Sequence, residues 1–179
     1  CDDNGAPIEV PGYSVPRFVP WNGDELPDLV IGEGGLDGEQ TYPGKVRIYL
    51  NTGGPTWPLF QDWFYARTED GDLTVPGEMC QGAYPCIVQW DGDGRKDFLV
   101  QTADREVAIY PGTTADGGLY ADDPGRELET WATESCTAKD LDGDGRSDLA
   151  FDRFPDREPF ARTWINVLLS GAGGAMATP

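Results

Sequence analysis

Asp140-Leu-Asp-Gly-Asp-Gly-Arg-Ser-Asp148 is the stretch that decides the fold, and a strand-like run, Leu149-Ala-Phe, follows it directly. Hard cations such as Ca²⁺ take about six to eight oxygen ligands at about 2.3–2.6 Å. A short loop supplies several of them when carboxylates alternate along it, and Gly allows the sharp turn between them. Four carboxylates this close would also repel one another without a cation. We therefore predict a calcium site whose ligands are Asp140, Asp142, Asp144, the carbonyl of Arg146, and Asp148.

An EF-hand is the competing interpretation of this loop. It requires a bidentate Glu at the twelfth position and a helix on each side. Counting from Asp140, the twelfth residue is Phe151, and the flanking segments have the composition of β-strands. We therefore expect a shortened loop, closed by Asp148, between two strands.

Two further copies of the loop lie upstream, and each has a short apolar lead before it and an apolar run after it. In loop two we expect Gln89, Asp91, Asp93, the carbonyl of Arg95, and Asp97 as ligands. In loop one we expect Asn22, Asp24, the carbonyl of Leu26, and Asp28, while Pro20 stands where a ligand should be. Ligand charge falls from loop three to loop one, so calcium affinity should fall in the same order.

A second strand-like run follows each loop, at residues 45–51, 106–110 and 164–169, and Gly-rich turns come next. Aromatic stretches follow in the first two copies, at 57–65 and 119–131. This organisation predicts an all-β fold of about three β-propeller-like blades, each with four short antiparallel strands. We place them in one domain, 1–179, with repeats at about 16–66, 86–131 and 136–171 and an insertion at about 66–85.

The third repeat looks incomplete, because only Gly, Ala, Met, Thr, Ser and Pro follow Leu169. The stretch Pro7–Val15 is able to supply the missing strand. The array is then open, or is completed by N-terminal strand exchange or by oligomerisation.

The charge balance bounds the partners. The chain has 32 acidic and 13 basic residues, a net charge of −19, and no His. Such a surface repels nucleic acid and anionic membranes. Without His, His-based proton shuttling and His-ligated zinc are excluded. No nucleophile elbow or phosphate-binding Gly loop occurs, and the paired carboxylates are better explained as calcium ligands, so we expect no enzyme.

The cysteines favour an exported protein. Cys1 before Asp2 and Asp3 is typical of a lipidated N-terminus, so any membrane attachment would be through a lipid anchor. Cys80 and Cys86 bracket a short loop and are predicted to form a disulfide, while a bridge between Cys86 and Cys136 is the alternative.

Asp-Leu-Asp-Gly-Asp-Gly-Arg-Ser-Asp-Leu, together with Ile165-Asn-Val-Leu-Leu-Ser-Gly171, resembles the FG-GAP/VCBS repeat family, whose best-known relatives form the β-propeller of integrin α-chains. The resemblance covers about two thirds of the chain and is specific at loops two and three. Loop one departs from the pattern at Pro20, Asn22 and Glu25. The resemblance implies propeller blades, calcium held by the loop Asp residues, and extracellular adhesion, ligand binding or structural roles.

Three functional hypotheses follow. The first is a non-catalytic, extracellular, calcium-binding repeat protein that acts in surface adhesion or as a filament building block, through self-association or contact with another surface protein or a glycan. The alternative is a lectin-like module with Trp57 and Trp63 as sugar platforms, and a glycan-active enzyme is the least favoured. Trp21 and Trp90 share one repeat position, equivalent to Leu141, and are expected in the core.

Overall fold

The fold is described from a computed structural model, which covers residues 5–75, 82–101, 107–113, 126–128, 132–153, 164–168 and 176–177. The described residues are all strand, turn or irregular, so the all-β prediction is confirmed for them. They form no closed barrel or ring. No helix in this part of the chain is long and apolar enough to cross a membrane.

Three antiparallel meanders follow one another along the chain, and in each of them consecutive strands pair. The first contains β1 (Val15–Val19), β2 (Asp28–Asp37), β3 (Gln40–Asn51) and β4 (Phe60–Tyr65). After a small hairpin of β5 (Arg67–Thr68) and β6 (Gly71–Asp72), β7 (Thr74–Val75) pairs with β3 as a fifth strand of this sheet. The second contains β8 (Tyr84–Val88), β9 (Asp97–Gln101), β10 (Val107–Tyr110) and β11 (Arg126–Leu128). The third contains β12 (Ala132–Lys139), β13 (Asp148–Arg153), β14 (Trp164–Leu168) and β15 (Met176–Ala177).

The main core lies between the first two sheets. Period-two alternation in β3 directs Val46 and Ile48 to one face, where both are buried. They join Trp21 and Val30 and pack with Phe98 and other residues of the second sheet in one cluster. Burying such large apolar groups is the main source of stability in a sheet of short strands.

A smaller core joins the second sheet to the third. Cys86, Leu99 and Ile109 of the second sheet pack with Leu149 of β13. Strand β8 lies next to β12 of the third sheet as well as to β1 and β2 of the first. The second sheet is therefore in contact with both of its neighbours in sequence.

The N-terminal stretch does not complete the third sheet, and this part of the prediction was wrong. Ile8 and Val10 pack on the outer face of the first sheet. The Tyr13 amide donates to the Gly34 carbonyl at 2.8 Å, and the Gly34 amide donates to the Pro11 carbonyl at 3.0 Å. The outer face of this sheet is apolar and takes up the stretch locally, at little cost in loop entropy.

The third sheet finds its fourth strand downstream. Met176 pairs with Leu168, and Ala177 pairs with Val167. The expectation that this repeat lacks a closing strand was therefore also wrong. Composition was misleading because short strands pair through the backbone, which does not require aromatic side chains.

Candidate metal centre

The three acidic loops occupy the same place in the three sheets. Each connects the first strand of its meander to the second, at residues 20–27, 89–96 and 140–147. Each also has two backbone positions with positive φ, where Gly is the residue without steric penalty. The first of these positions has φ of 81°, 75° and 82° at Gly23, Gly92 and Gly143, and the second has 65°, 85° and 88° at Glu25, Gly94 and Gly145. Loop one thus keeps the turn although a non-Gly residue stands at its second position.

Hydrogen bonds inside each loop hold the acidic side chains against the backbone. The Arg146 amide donates to Asp144 Oδ1 at 2.9 Å, and the Asp144 amide donates to Asp142 Oδ1 at 3.1 Å. The same two bonds recur in loop two, from Arg95 to Asp93 and from Asp93 to Asp91. They recur in loop one, from Leu26 to Asp24 and from Asp24 to Asn22. The sequence spacing therefore produces one conformation three times.

Loop three brings together the best set of oxygen ligands. One carboxylate oxygen from each of Asp140, Asp142 and Asp148 lies within 4.8 Å of the other two. Oxygens about 2.4 Å from a common cation are at most about 4.8 Å apart, so the three fit a hard divalent cation. Of the predicted carboxylates in this loop, Asp144 is not in this group. The Arg146 carbonyl, also predicted, belongs to the same turn.

The side chains of loops two and one are less well arranged to bind a cation. In the described part of the chain no other group of three acidic residues converges this closely. In loop two, Arg95 forms an ion pair with Asp93 at 3.3 Å, which partly neutralises one expected ligand. In loop one, the side-chain amide of Asn22 donates to Asp24 Oδ2 at 2.8 Å, and only two of the ligands predicted for this loop are carboxylates, those of Asp24 and Asp28. Gln89 stands at the first position of loop two and is half-buried.

The closing Asp of each loop has a role that the sequence reasoning missed. Asp28, Asp97 and Asp148 are at most 1 % exposed. In each, Oδ2 accepts a hydrogen bond from the amide seven residues earlier: Trp21 at 2.6 Å, Trp90 at 2.8 Å and Leu141 at 2.8 Å. The constant spacing of seven residues was the available signal. Each carboxylate therefore ties the start of its loop to its end, whether or not it also binds a cation.

The same carboxylate also binds the last residue of the third strand in the first sheet, and in the second sheet it binds Gly112, two residues after the third strand. Asp28 Oδ1 accepts from the Asn51 amide at 2.7 Å, and Asp97 Oδ1 accepts from the Gly112 amide at 2.9 Å. Burial raises the pKa of Asp97, the amides of Gly112 and Trp90 lower it, and the charges of Asp91 and Asp93 raise it further. Folding raises this pKa overall. The stability that protonated Asp97 contributes is therefore lost as pH rises from the pKa of the unfolded chain through the pKa of the folded one. A bound cation would oppose this repulsion.

The structure places the predicted sugar platforms on the surface of the first sheet or beside it. Trp57 is 82 % exposed and Trp63 is 44 % exposed. The guanidinium carbon of Arg47 lies 4.0 Å from the ring centroid of Trp63, and the ring of Tyr65 meets Trp63 edge-on at 4.9 Å. Trp63 is thus fixed by a cation–π contact, whereas Trp57 projects into solvent.

Beside Trp63 lies a buried polar network that the sequence did not indicate. Arg47 Nη2 is 2.8 Å from Glu33 Oε2, and the Tyr65 hydroxyl donates to Glu33 Oε1 at 2.6 Å. The pKa of Tyr65 is raised, first by burial and then by its bond to Glu33. Cross-strand pairing of Arg47 with Tyr65 explains why these groups meet. The network links β2, β3 and β4 of the first sheet and is not part of the acidic loops.

The repeat position shared by Trp21, Trp90 and Leu141 is buried to different degrees in the three loops. Trp21 is 2 % exposed and lies in the main core, and Trp90 is half-buried against the smaller core, as the sequence predicted. Leu141, at the equivalent position, is 55 % exposed.

Among the cysteines, Cys86 is buried, while Cys1 and Cys80 lie outside the described residues. The disulfide and the lipid anchor therefore stay predictions.

Residues 89–151 match the model of the FG-GAP-like repeat. This segment, about a third of the chain, contains loops two and three and strands β9 to β12, and it ends within β13. The chain therefore contains an FG-GAP-like repeat, and the resemblance stated above is confirmed over that segment. No curated protein and no solved structure matches the chain.

Proposed function

We propose that this is a non-catalytic, extracellular, calcium-binding β-repeat protein that acts in surface adhesion or as a structural building block. The observation that carries the proposal is the convergence of Asp140, Asp142 and Asp148 within 4.8 Å, at the turn between two strands. The FG-GAP-like repeat over 89–151 supports the adhesion role. Calcium would neutralise the repulsion in loop three and fix the turn between β12 and β13.

We further propose that the three sheets are blades of a propeller-like array. Their strands follow the same meander order, and each acidic loop joins the first strand to the second. Strand β8 is in contact with both β1 and β12, as inner strands of adjacent blades would be. In this proposal the array displays all three loops at one end, and its partners are another copy, a surface protein or a glycan. A lipid at Cys1 would be its link to a membrane.

The test is calcium binding with paired variants. Asp142→Ala removes a carboxylate of the converging group and should abolish the tightest binding event in a calorimetric titration. Asn22→Ala changes the corresponding residue of loop one and should leave that event unchanged. In calcium, Asp142→Ala should lower the melting temperature more than Asn22→Ala does. A loss of equal size in excess chelator would contradict the ligand assignment.

A lectin-like module is the second candidate, and the exposure of Trp57 favours it. A flat indole in solvent can stack on a sugar ring. Binding on a glycan array that is lost in Trp57→Ala and kept in Trp63→Ala would support Trp57 as the platform, because Trp63 is already covered by Arg47. Binding that both variants retain would eliminate the two platforms.

A further inference from the structure

Loops two and three are in direct contact through a reciprocal pair of hydrogen bonds. The Ser147 amide donates to the Gln89 carbonyl at 2.7 Å. The Gln89 amide donates to Ser147 Oγ at 2.9 Å. Ser147 stands in loop three between the Arg146 carbonyl and Asp148, both expected ligands, and Gln89 begins loop two. Ser147 of loop three therefore binds both backbone polar groups of Gln89, its N–H and its carbonyl.

A second contact also joins loop three to loop two, between the side chain of Arg146 and Gly92. A Cβ added at Gly92 would lie 3.2 Å from Nε and 3.4 Å from Cγ of Arg146. The side chain of Arg146 thus lies against loop two at Gly92. Loop two is able to accept it there because position 92 has no side chain.

Loop one cannot make the equivalent bridge to loop two. Pro20 occupies in loop one the position of Gln89, and it has no amide proton to donate. Lys96 occupies in loop two the position of Ser147, and it has no hydroxyl group to accept with. The reciprocal bridge is therefore specific to the pair formed by loops two and three.

The bridge continues to the closing carboxylate of loop two. Trp90 follows Gln89 directly, and its amide donates to Asp97 Oδ2 at 2.8 Å. A change at Arg146 or Asp148 would shift Ser147, and Gln89 and Trp90 would move with it. The Trp90 amide, which donates to Asp97, would then be displaced as well. Adjacent bonded groups of this kind are how two sites come to share binding free energy.

We propose that Ser147 is a positioning residue that couples loops two and three, so that a divalent cation in either loop raises the affinity of the other, while loop one binds independently. This proposal rests on the calcium binding proposed above. Coupling between two binding sites is reciprocal, so each loop must report it equally.

The test is a calcium titration of the full chain with Asp142→Ala and Asp91→Ala, each in the presence and absence of Ser147→Ala. Asp142→Ala should weaken the loop-two event about fivefold through the lost coupling, and Asp91→Ala should weaken the loop-three event by the same factor. Both indirect losses should shrink when Ser147 is already Ala, which removes the bond to Oγ, and vanish when it is Pro, which removes both bonds. Lys96→Ala is the matched control and should leave them in place, and Ser147→Thr, which keeps the hydroxyl, should restore them.

Amide hydrogen exchange in chelator gives a reading that needs no cation. Exchange at the Gln89 amide should accelerate in Ser147→Ala and not in Lys96→Ala. Ser147→Pro removes both bonds and imitates Pro27 of loop one, so the turn should still form. If exchange at the Gln89 amide is unchanged in both Ser147→Ala and Ser147→Pro, the bridge is overturned.

The possible failures are distinguishable. Two calcium events with constants that do not depend on the state of the other loop would overturn the coupling and leave the proposed function standing. No calcium uptake by the unmodified chain would overturn both.

Discussion

Glu25 is the residue at which loop one departs most clearly from the other two. It adopts φ of 65°, where loops two and three have Gly94 and Gly145. A side chain in this region costs about 1–2 kcal/mol, although Gly also loses more entropy on folding. We expect Glu25→Gly to raise the free energy of unfolding by about 0.5 kcal/mol net.

The reverse substitution supplies the control for this prediction. Gly94→Glu should lower the free energy of unfolding by about 1 kcal/mol or more. Urea unfolding in excess chelator measures both, so that calcium affinity does not enter. If both substitutions shift stability in the same direction, the three turns are not equivalent.

Asp97 separates the structural role of a closing carboxylate from its role as a ligand. Asp97→Ala leaves the part-buried amide of Trp90 and the buried amide of Gly112 without their acceptor, and an unsatisfied buried group costs about 1–3 kcal/mol. The loss should appear in chelator as well as in calcium. Asp97→Asn keeps one acceptor oxygen and should lose less. A loss that appears only in calcium would mean that Asp97 is merely a ligand.

At the scale of elements, the sequence predicted the strands with strong alternation and failed where pairing depends on distant backbone. The run 45–51 alternates Val, Ile and Leu, and it lies within β3. The two residues of β15 have no such pattern, and their pairing with β14 is a matter of backbone proximity. The N-terminal stretch was considered as a strand of the third sheet and lies on the first, because apolar residues indicate burial but not the partner that buries them.

That stretch gives a prediction of its own. Gly12 has φ of 72°, and a Cβ there would collide with the carbonyl of Gly34. Gly12→Ala should release the stretch from the first sheet and accelerate amide exchange at Tyr13 and Gly34. Gly5 has a similar φ of 77° with nothing within 4 Å of an added Cβ, so Gly5→Ala controls for backbone strain alone. Equal effects of the two substitutions would show that the close approach to Gly34 is unimportant.

At the scale of the molecule, charge and fold come from different parts of the sequence. The apolar alternation that builds the sheets says nothing about the ion, and the Asp-Gly spacing that builds the loops says nothing about the partner. Four carboxylates were predicted for loop three because the loop is local in sequence, and three of them converge while Asp144 does not join them. The bridge from Ser147 to Gln89 could not, because its two ends are 58 residues apart in sequence.

The net charge of −19 makes the metal-free chain sensitive to ionic strength. Self-repulsion among exposed carboxylates destabilises a compact state, and salt screens it over a Debye length of about 8 Å at physiological ionic strength. In chelator, the melting temperature should rise as NaCl is increased from low to physiological concentration. In saturating calcium the rise should be smaller, because the cations already neutralise the densest cluster. Asp142→Asn carries one charge less in loop three and should reduce the salt dependence in chelator. If salt raises the melting temperature equally with and without calcium, the repulsion lies elsewhere on the surface and the loops are not where the metal-free protein is strained.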